Sequence, residues 1–235
     1  MRLVSDVRLI ARKPDRKLPQ SSAVRGSLSV PFAVAPVQFQ SEMERNFIVI
    51  CRNAAEVIGL TREPFSVSFH DHTKGRRRVY TPDYLVRYRA QDGKAKQLLA
   101  EVKTEADYWR SIETNRPCYV AAQIWAETQP DTRFEIATDL WMKEVGLTNI
   151  LLLDAIKDRH FGNEQLTMFR DFFVNKNALT PRAAKAAAKS ASLSADLVMP
   201  ALLKLVTLGE LAFDLGETLH EETQFYVGEI KRTFR

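Results

Sequence analysis

Between residues 41 and 58, apolar side chains recur at Met43, Phe47, Ile50, Ala54 and Ile58. The i, i+4, i+7 rhythm predicts an amphipathic helix. Ser41 is a suitable N-cap and Gly59 a suitable C-terminal stop. The period then falls to two. "FSVSF" (65–69), "YLVRYR" (84–89) and "LLAEVK" (98–103) predict strands, with "HDHTKGRRR" and "AQDGKAK" as the turns that link them. A helical pattern returns over about 105–127, carrying Tyr108, Ile112, Tyr119 and Ile124, and Pro117 predicts a break into two helices. "RFEIATD" (133–139) predicts one more strand, followed by a short helix from about Leu140. This order implies a mixed α/β layer.

After about residue 160 the pattern changes. "EQLTMFRDFF", "TPRAAKAAAKSA" and "SADLVMPALLKLVTLG" predict three helices. "ELAFDL" and "TQFYVG" then predict two strands joined by the polar "GETLHEE". Three helices followed by a hairpin is the element order of a winged helix. Residues 1–39 are basic, loop-like and punctuated by Pro, Ser and Gly, with room for one short strand. The expected organisation is a basic arm (1–39), an α/β domain (40–160) and a winged-helix domain (161–235). No internal repeat is visible.

Composition narrows the class. A chain of 235 residues, 45% hydrophobic and 27% charged, has enough apolar material for a sizeable core, which excludes a disordered chain. The net charge of +5 favours an acidic partner, but acidic residues recur throughout, so any nucleic-acid surface must be local. The two cysteines, Cys51 and Cys118, lie far apart and outside any CxxC spacing. That argues against a disulfide framework or a cysteine zinc site and fits a reducing cytoplasm. The start, "MRLVSDVRLIARK", lacks the apolar run of a signal peptide, and no stretch is long and apolar enough to predict a membrane span.

The candidate chemistry sits on the strands. Alternation puts Tyr84, Val86 and Tyr88 on one face and Asp83, Leu85 and Arg87 on the other. Glu101 and Lys103 are two apart and share a face, while Leu98, Ala100 and Val102 take the opposite one. If the strands pair as neighbours, Asp83, Glu101 and Lys103 can converge. Two hard carboxylates suit Mg²⁺ or Mn²⁺. A lysine beside them can orient a water or stabilise charge on a phosphate. An edge strand with solvated charges would leave the same bare spacing; the "TPDYLV" entry and the apolar "LLAEVK" favour a site. Glu44 has two compatible readings: a site carboxylate from the preceding helix, and the partner of Ser41 in a capping box.

Lys74, Arg76, Arg77 and Arg78 form a basic turn just before Asp83, suited either to gripping phosphates or to capping a solvated hairpin. His70 and His72 flank Asp71 on a loop without a third partner, which argues against zinc there. His160 and His220 stand alone. Arg182, Lys185 and Lys189 line one helix face, which can meet DNA phosphates, an acidic protein surface or solvent. The next helix carries Lys204 among apolar residues and Pro200, a poor composition for base reading. Docking to protein suits this domain better.

Taken together, "SEMERNF", "REPFSV", "GRRRVYTPDYLV" and "LLAEVKTEADY" resemble the TnsA family, the endonuclease subunits of heteromeric transposases within the restriction-endonuclease-like PD-(D/E)xK superfamily. The resemblance runs from about residue 35 to the C-terminus and is strongest over 41–108. It implies a restriction-endonuclease-like mixed-sheet domain followed by a winged helix. It also implies Mg²⁺-dependent hydrolysis (Mn²⁺ substituting) at the 5′ ends of a transposon, in double-stranded DNA. The implied partners are a DDE recombinase (TnsB), which cuts and joins the 3′ ends, and an AAA+ ATPase regulator (TnsC). The implied location is the bacterial cytoplasm, at the nucleoid during activity. By motif, the family's helix glutamate falls on Glu44, its aspartate on Asp83 and its lysine on Lys103, with Glu101 at the variable middle position. The expected metal ligands are Asp83, Glu101 and the Val102 carbonyl, with Glu44 completing the site. "MERNF" stands where the family more often has "LERDF", which puts Asn46 in place of Asp and keeps Glu44. Two rivals stay open: a stand-alone restriction or junction-resolving nuclease of the same fold, and a non-enzymatic winged-helix regulator.

Overall fold

In the computed structural model, residues 3–10 and 24–228 are described, and the chain divides into two compact units between Met142 and Lys143. In the first unit Ser41 caps helix α1 (Glu42–Asn53), its hydroxyl accepting from the Glu44 amide at 3.0 Å. The helix is shorter than the apolar rhythm predicts. The Ala54 amide closes it on the Ile50 carbonyl, and "VIGLTR" leaves as a strand instead. Val57 and Ile58 are β-branched, which suits the pleated surface they join better than a helix.

Among the described residues, nine strands and two further helices complete or border this unit. The strands are β1 (Val4–Ile10), β2 (Gly26–Leu28), β3 (Val37–Phe39), β4 (Val57–Arg62), β5 (Ser66–Asp71), β6 (Arg76–Tyr80), β7 (Tyr84–Arg89), β8 (Ala95–Val102) and β9 (Thr132–Ala137). The helices are α2 (Glu105–Glu127) and α3 (Asp139–Glu144), whose end crosses the division. One sheet runs β4-β7-β8-β9, with β9 parallel to β8 and the other pairs antiparallel. A second, antiparallel sheet runs β1-β5-β6, and β2 pairs with β3. The four-stranded sheet is covered on both faces. Phe47 of α1 meets Tyr84 with ring centroids 5.3 Å apart, on the face that also carries Val86 and Leu98. Leu99 faces the other way, into a core with Cys118, Tyr119, Ala122 and Trp125 of α2.

Three more expectations need correction. The N-terminal arm, expected to hold at most one short strand, contains three among its described residues: β1 pairs with β5 and β2 with β3, and buried Val4 joins the core under α2. Its basic run at 11–23 lies outside the described residues. The basic turn is narrower than predicted, because Arg76–Tyr80 pairs along β5 and the turn closes at Gly75, whose φ of +58° suits glycine. Pro117 does not divide α2, which runs unbroken through it.

The second unit contains α4 (Leu147–Lys157), α5 (Asn163–Asp171), α6 (Pro181–Ser190) and α7 (Val198–Thr207), with a short 3₁₀ turn at Ala195–Leu197. Strands β10 (Ala178–Leu179), β11 (Leu211–Ala212) and β12 (Phe225–Val227) form a small antiparallel sheet in the order β10-β12-β11. The division at 142/143 precedes the expected boundary at residue 160. Leu153 of α4 is the physical reason: it is buried with Phe169, Leu202, Phe213 and Phe225 in this unit's core. No helix among the described residues is long and apolar enough to cross a membrane.

Candidate active site

The site grows from the register of two strands. Tyr84 opens β7 and pairs with Ala100 of β8. One step outward, Asp83 comes level with the end of β8, and its Oδ2 accepts the Val102 amide at 2.7 Å. Glu101 lies on the same face as Leu99, and Lys103 follows on that face past the strand's end. The Lys103 Nζ sits 2.9 Å from Glu101 Oε1. Asp83, Glu101 and Lys103 therefore meet, as the spacing predicts. The charged face is not a solvated edge: β8 is a central strand, and Glu101 is buried, with 6% of its surface exposed.

Burial pushes the Asp83 carboxyl well above the usual carboxylate range. The charge of Glu101 adds to the rise and Glu44 contributes further, while the Val102 amide and Lys103 pull the other way. At Lys103, burial disfavours the ammonium, but the Glu101 carboxylate outweighs it and raises the pKa. Two carboxylates thus share one ammonium. The excess negative charge, and the hard oxygens that carry it, fit a divalent cation of the Mg²⁺ type. The fit is limited to what converges. Among the described residues no three His, Cys, Asp or Glu side chains form a metal-holding group. Asp83 and Glu101, with a backbone carbonyl such as that of Val102, are the protein oxygens at hand.

Glu44 stands in the first turn of α1. Its Oε2 accepts from the Gln40 amide at 3.0 Å and the Tyr84 hydroxyl at 3.3 Å, and lies 3.7 Å from Arg62 Nε. It caps the chain entering α1 and braces Tyr84, while its charge still reaches Asp83.

The basic turn separates into parts. Arg78 points inward, bonding Asp71 Oδ2 at 2.9 Å and the Thr114 carbonyl at 3.1 Å, so it is a brace rather than a phosphate grip. Asp71 is fully buried. Burial raises its pKa, but hydrogen bonds from Thr73, Arg78 and the Lys74 amide hold it down at about 2. Arg77 pairs with Asp6 and reaches Ser68 Oγ at 3.2 Å. Lys74 and Arg76 are exposed. The His70 and His72 rings lie 5.0 Å apart, with His72 Nε2 2.9 Å from Ser5 Oγ. In the second unit Arg182 pairs with Glu222 and Lys185 with Glu221, each at 2.6 Å, and Lys189 is exposed.

One contact escaped the sequence. The Tyr80 hydroxyl donates to Glu101 Oε2 at 2.5 Å. Burial, then the Glu101 charge, lifts the Tyr80 pKa well above its ordinary value. An aromatic residue at a strand end normally reads as core, and its position three residues before Asp83 was the available signal.

A mixed sheet between helices, with an aspartate heading one strand and Glu-x-Lys closing its neighbour, fits a restriction-endonuclease-like nuclease. Residues 54–144 match the family model described as TnsA-like endonuclease N terminal, so the chain carries a domain of the TnsA-like endonuclease family. The matched span contains Asp83, Glu101 and Lys103 and begins after α1 with its Glu44. A comparison with curated proteins finds no match to the chain.

Proposed function

We propose that this chain is the metal-dependent endonuclease subunit of a cut-and-paste transposase, hydrolysing phosphodiester bonds at the 5′ ends of the element. The observation that carries the reading is the meeting of Asp83, Glu101 and Lys103 at the end of β8, inside the matched endonuclease domain. Asp83, Glu101 and the Val102 carbonyl would hold Mg²⁺, with Mn²⁺ as a substitute. When bound, the ion supplies Lewis-acid stabilisation of charge on the phosphate and leaving oxygen. Asp83 is fixed by the Val102 amide, so the ligand end of β7 is tied to β8 before any cation arrives. Lys103, held by Glu101, presents its ammonium to position the attacking water and to offset charge developing on the phosphate. Glu44 acts from behind, through Tyr84 and its field on Asp83. Lys74 and Arg76 are exposed for backbone phosphates, and Arg77 is exposed too but paired with Asp6.

The winged-helix reading is supported by α5, α6 and α7 followed by the paired strands β11 and β12; α4, and β10 between α5 and α6, are additions to the expected order. Its role in this proposal is docking to protein. Arg182 and Lys185 are already paired with Glu222 and Glu221, and α7 buries most of its surface. The proposed partners are a TnsB-like DDE recombinase and a TnsC-like AAA+ ATPase. The test is reconstitution. With Mg²⁺ and both partners, the chain should cut transposon ends on the 5′ strand; the purified chain alone should be nearly silent. Efficient cutting by the chain alone would favour a stand-alone nuclease and contradict the subunit reading.

A further inference from the structure

Glu101 has both carboxylate oxygens engaged, and the donors come from different parts of the fold. Lys103 Nζ takes Oε1 at 2.9 Å from the same strand end. The Tyr80 hydroxyl takes Oε2 at 2.5 Å from a different sheet of the same unit. Tyr80 is the last residue of β6, paired with Val67 of β5, whereas Glu101 belongs to β8. The hydrogen bond therefore joins the β1-β5-β6 sheet to the β4-β7-β8-β9 sheet at the site. Tyr80 is itself held. Its ring meets Tyr119 of α2 edge-on with centroids 6.1 Å apart, and the next residue, Thr81, is bonded through Oγ1 to Ser66 Oγ at 2.6 Å. The four residues from Tyr80 to Asp83 thus carry one proposed ligand and the brace for the other.

We propose that Tyr80 is a positioning residue of the cation site: its hydroxyl holds Glu101 in the rotamer that stands beside Asp83 and so sets the affinity for a divalent cation. This rests on the reading of Asp83 and Glu101 as the ligands. The physical basis is pre-organisation. A long glutamate side chain loses rotamer freedom when it ligates, and a rigid phenol that has already fixed one oxygen removes most of that cost. Without the phenol, Oε2 of a buried carboxylate loses its donor and the side chain turns toward Lys103 or solvent.

The experiment is Mn²⁺ binding to the full chain, read from the electron paramagnetic resonance signal of free hexaaqua Mn²⁺. Wild type, Tyr80→Phe and Asp83→Asn are compared. Tyr80→Phe keeps the ring and its packing on Tyr119, so the fold is retained, which thermal melting in EDTA checks. The expected result is Mn²⁺ affinity reduced about tenfold or more in Tyr80→Phe, with binding lost in Asp83→Asn. A brace that serves stability alone would lower the melting temperature and leave the Mn²⁺ affinity unchanged. Equal or tighter binding by Tyr80→Phe, with binding still lost in Asp83→Asn, would overturn the role of Tyr80 and leave the site standing. No binding by wild type, or undiminished binding by Asp83→Asn, would overturn the site and the proposal together.

Discussion

Asp83 is buried beside a second carboxylate, where its negative charge is costly to the fold. Burial and the neighbouring Glu101 charge raise its folded pKa above the unfolded value. Such a group binds its proton more tightly when folded, so its contribution is favourable at low pH and is lost as pH rises through the folded pKa. Asp83→Asn should therefore raise the melting temperature in EDTA at neutral pH, by about 2–4 °C for each kcal/mol relieved. The gain should shrink as the pH is lowered toward about 4, the unfolded carboxylate range. Calorimetry across that range checks it; an unchanged or lower melting temperature at pH 7 would contradict the electrostatic picture. At this scale the sequence was most legible where period-two alternation applied. Glu101 and Lys103 share a face by alternation, and Asp83 joins them because the register sets Tyr84 opposite Ala100. Tyr80 was not legible, because its partner lies twenty-one positions away in sequence and in a different sheet. Of the capping box expected at Glu44, the bond from its amide to the Ser41 hydroxyl forms, while its carboxylate takes the Gln40 amide and the Tyr84 hydroxyl in place of the Ser41 amide.

At the scale of elements, local signals conflicted with long-range pairing. Residues 54–58 continue the helical rhythm of α1, yet Val57 pairs with Tyr88 and Leu60 with Val86, so the sheet takes them. The Arg76–Arg78 run reads as turn by charge, but pairing with β5 and the inward ion pair of Arg78 with Asp71 make it strand. Neither outcome depends on information within a short window. Gly146, by contrast, shows a local need. It precedes α4 with φ of +83°, and a Cβ there would fall 2.2 Å from the Leu215 carbonyl oxygen. Gly146→Ala should destabilise the chain by more than about 1 kcal/mol, seen as an earlier unfolding transition in urea; an unchanged midpoint would contradict this account of the turn. The α6 stripe gives a second prediction. Because Arg182 and Lys185 are paired with Glu222 and Glu221, the double variant Arg182→Ala/Lys185→Ala should bind duplex DNA with an unchanged salt slope. A slope reduced by about one per residue would show that these side chains meet phosphates.

For the whole molecule, the expected order of a mixed α/β domain followed by a helical one with a small sheet agrees with the two units, although the division falls earlier because α4 packs with the second core. The pattern of apolar residues could not place that division, since Leu153 would be equally buried in either unit. The first unit holds residues 54–142 of the matched endonuclease span and the proposed Asp83–Glu101–Lys103 site. Strand-specific cleavage of transposon-end DNA, with Mg²⁺ and a wild-type DDE recombinase and ATPase present, tests it most directly. With Asp83→Ala in this chain, 5′-strand products should disappear while 3′-strand products persist. Undiminished 5′-strand cutting by that variant would contradict the assignment of Asp83, Glu101 and Lys103 as the nuclease site.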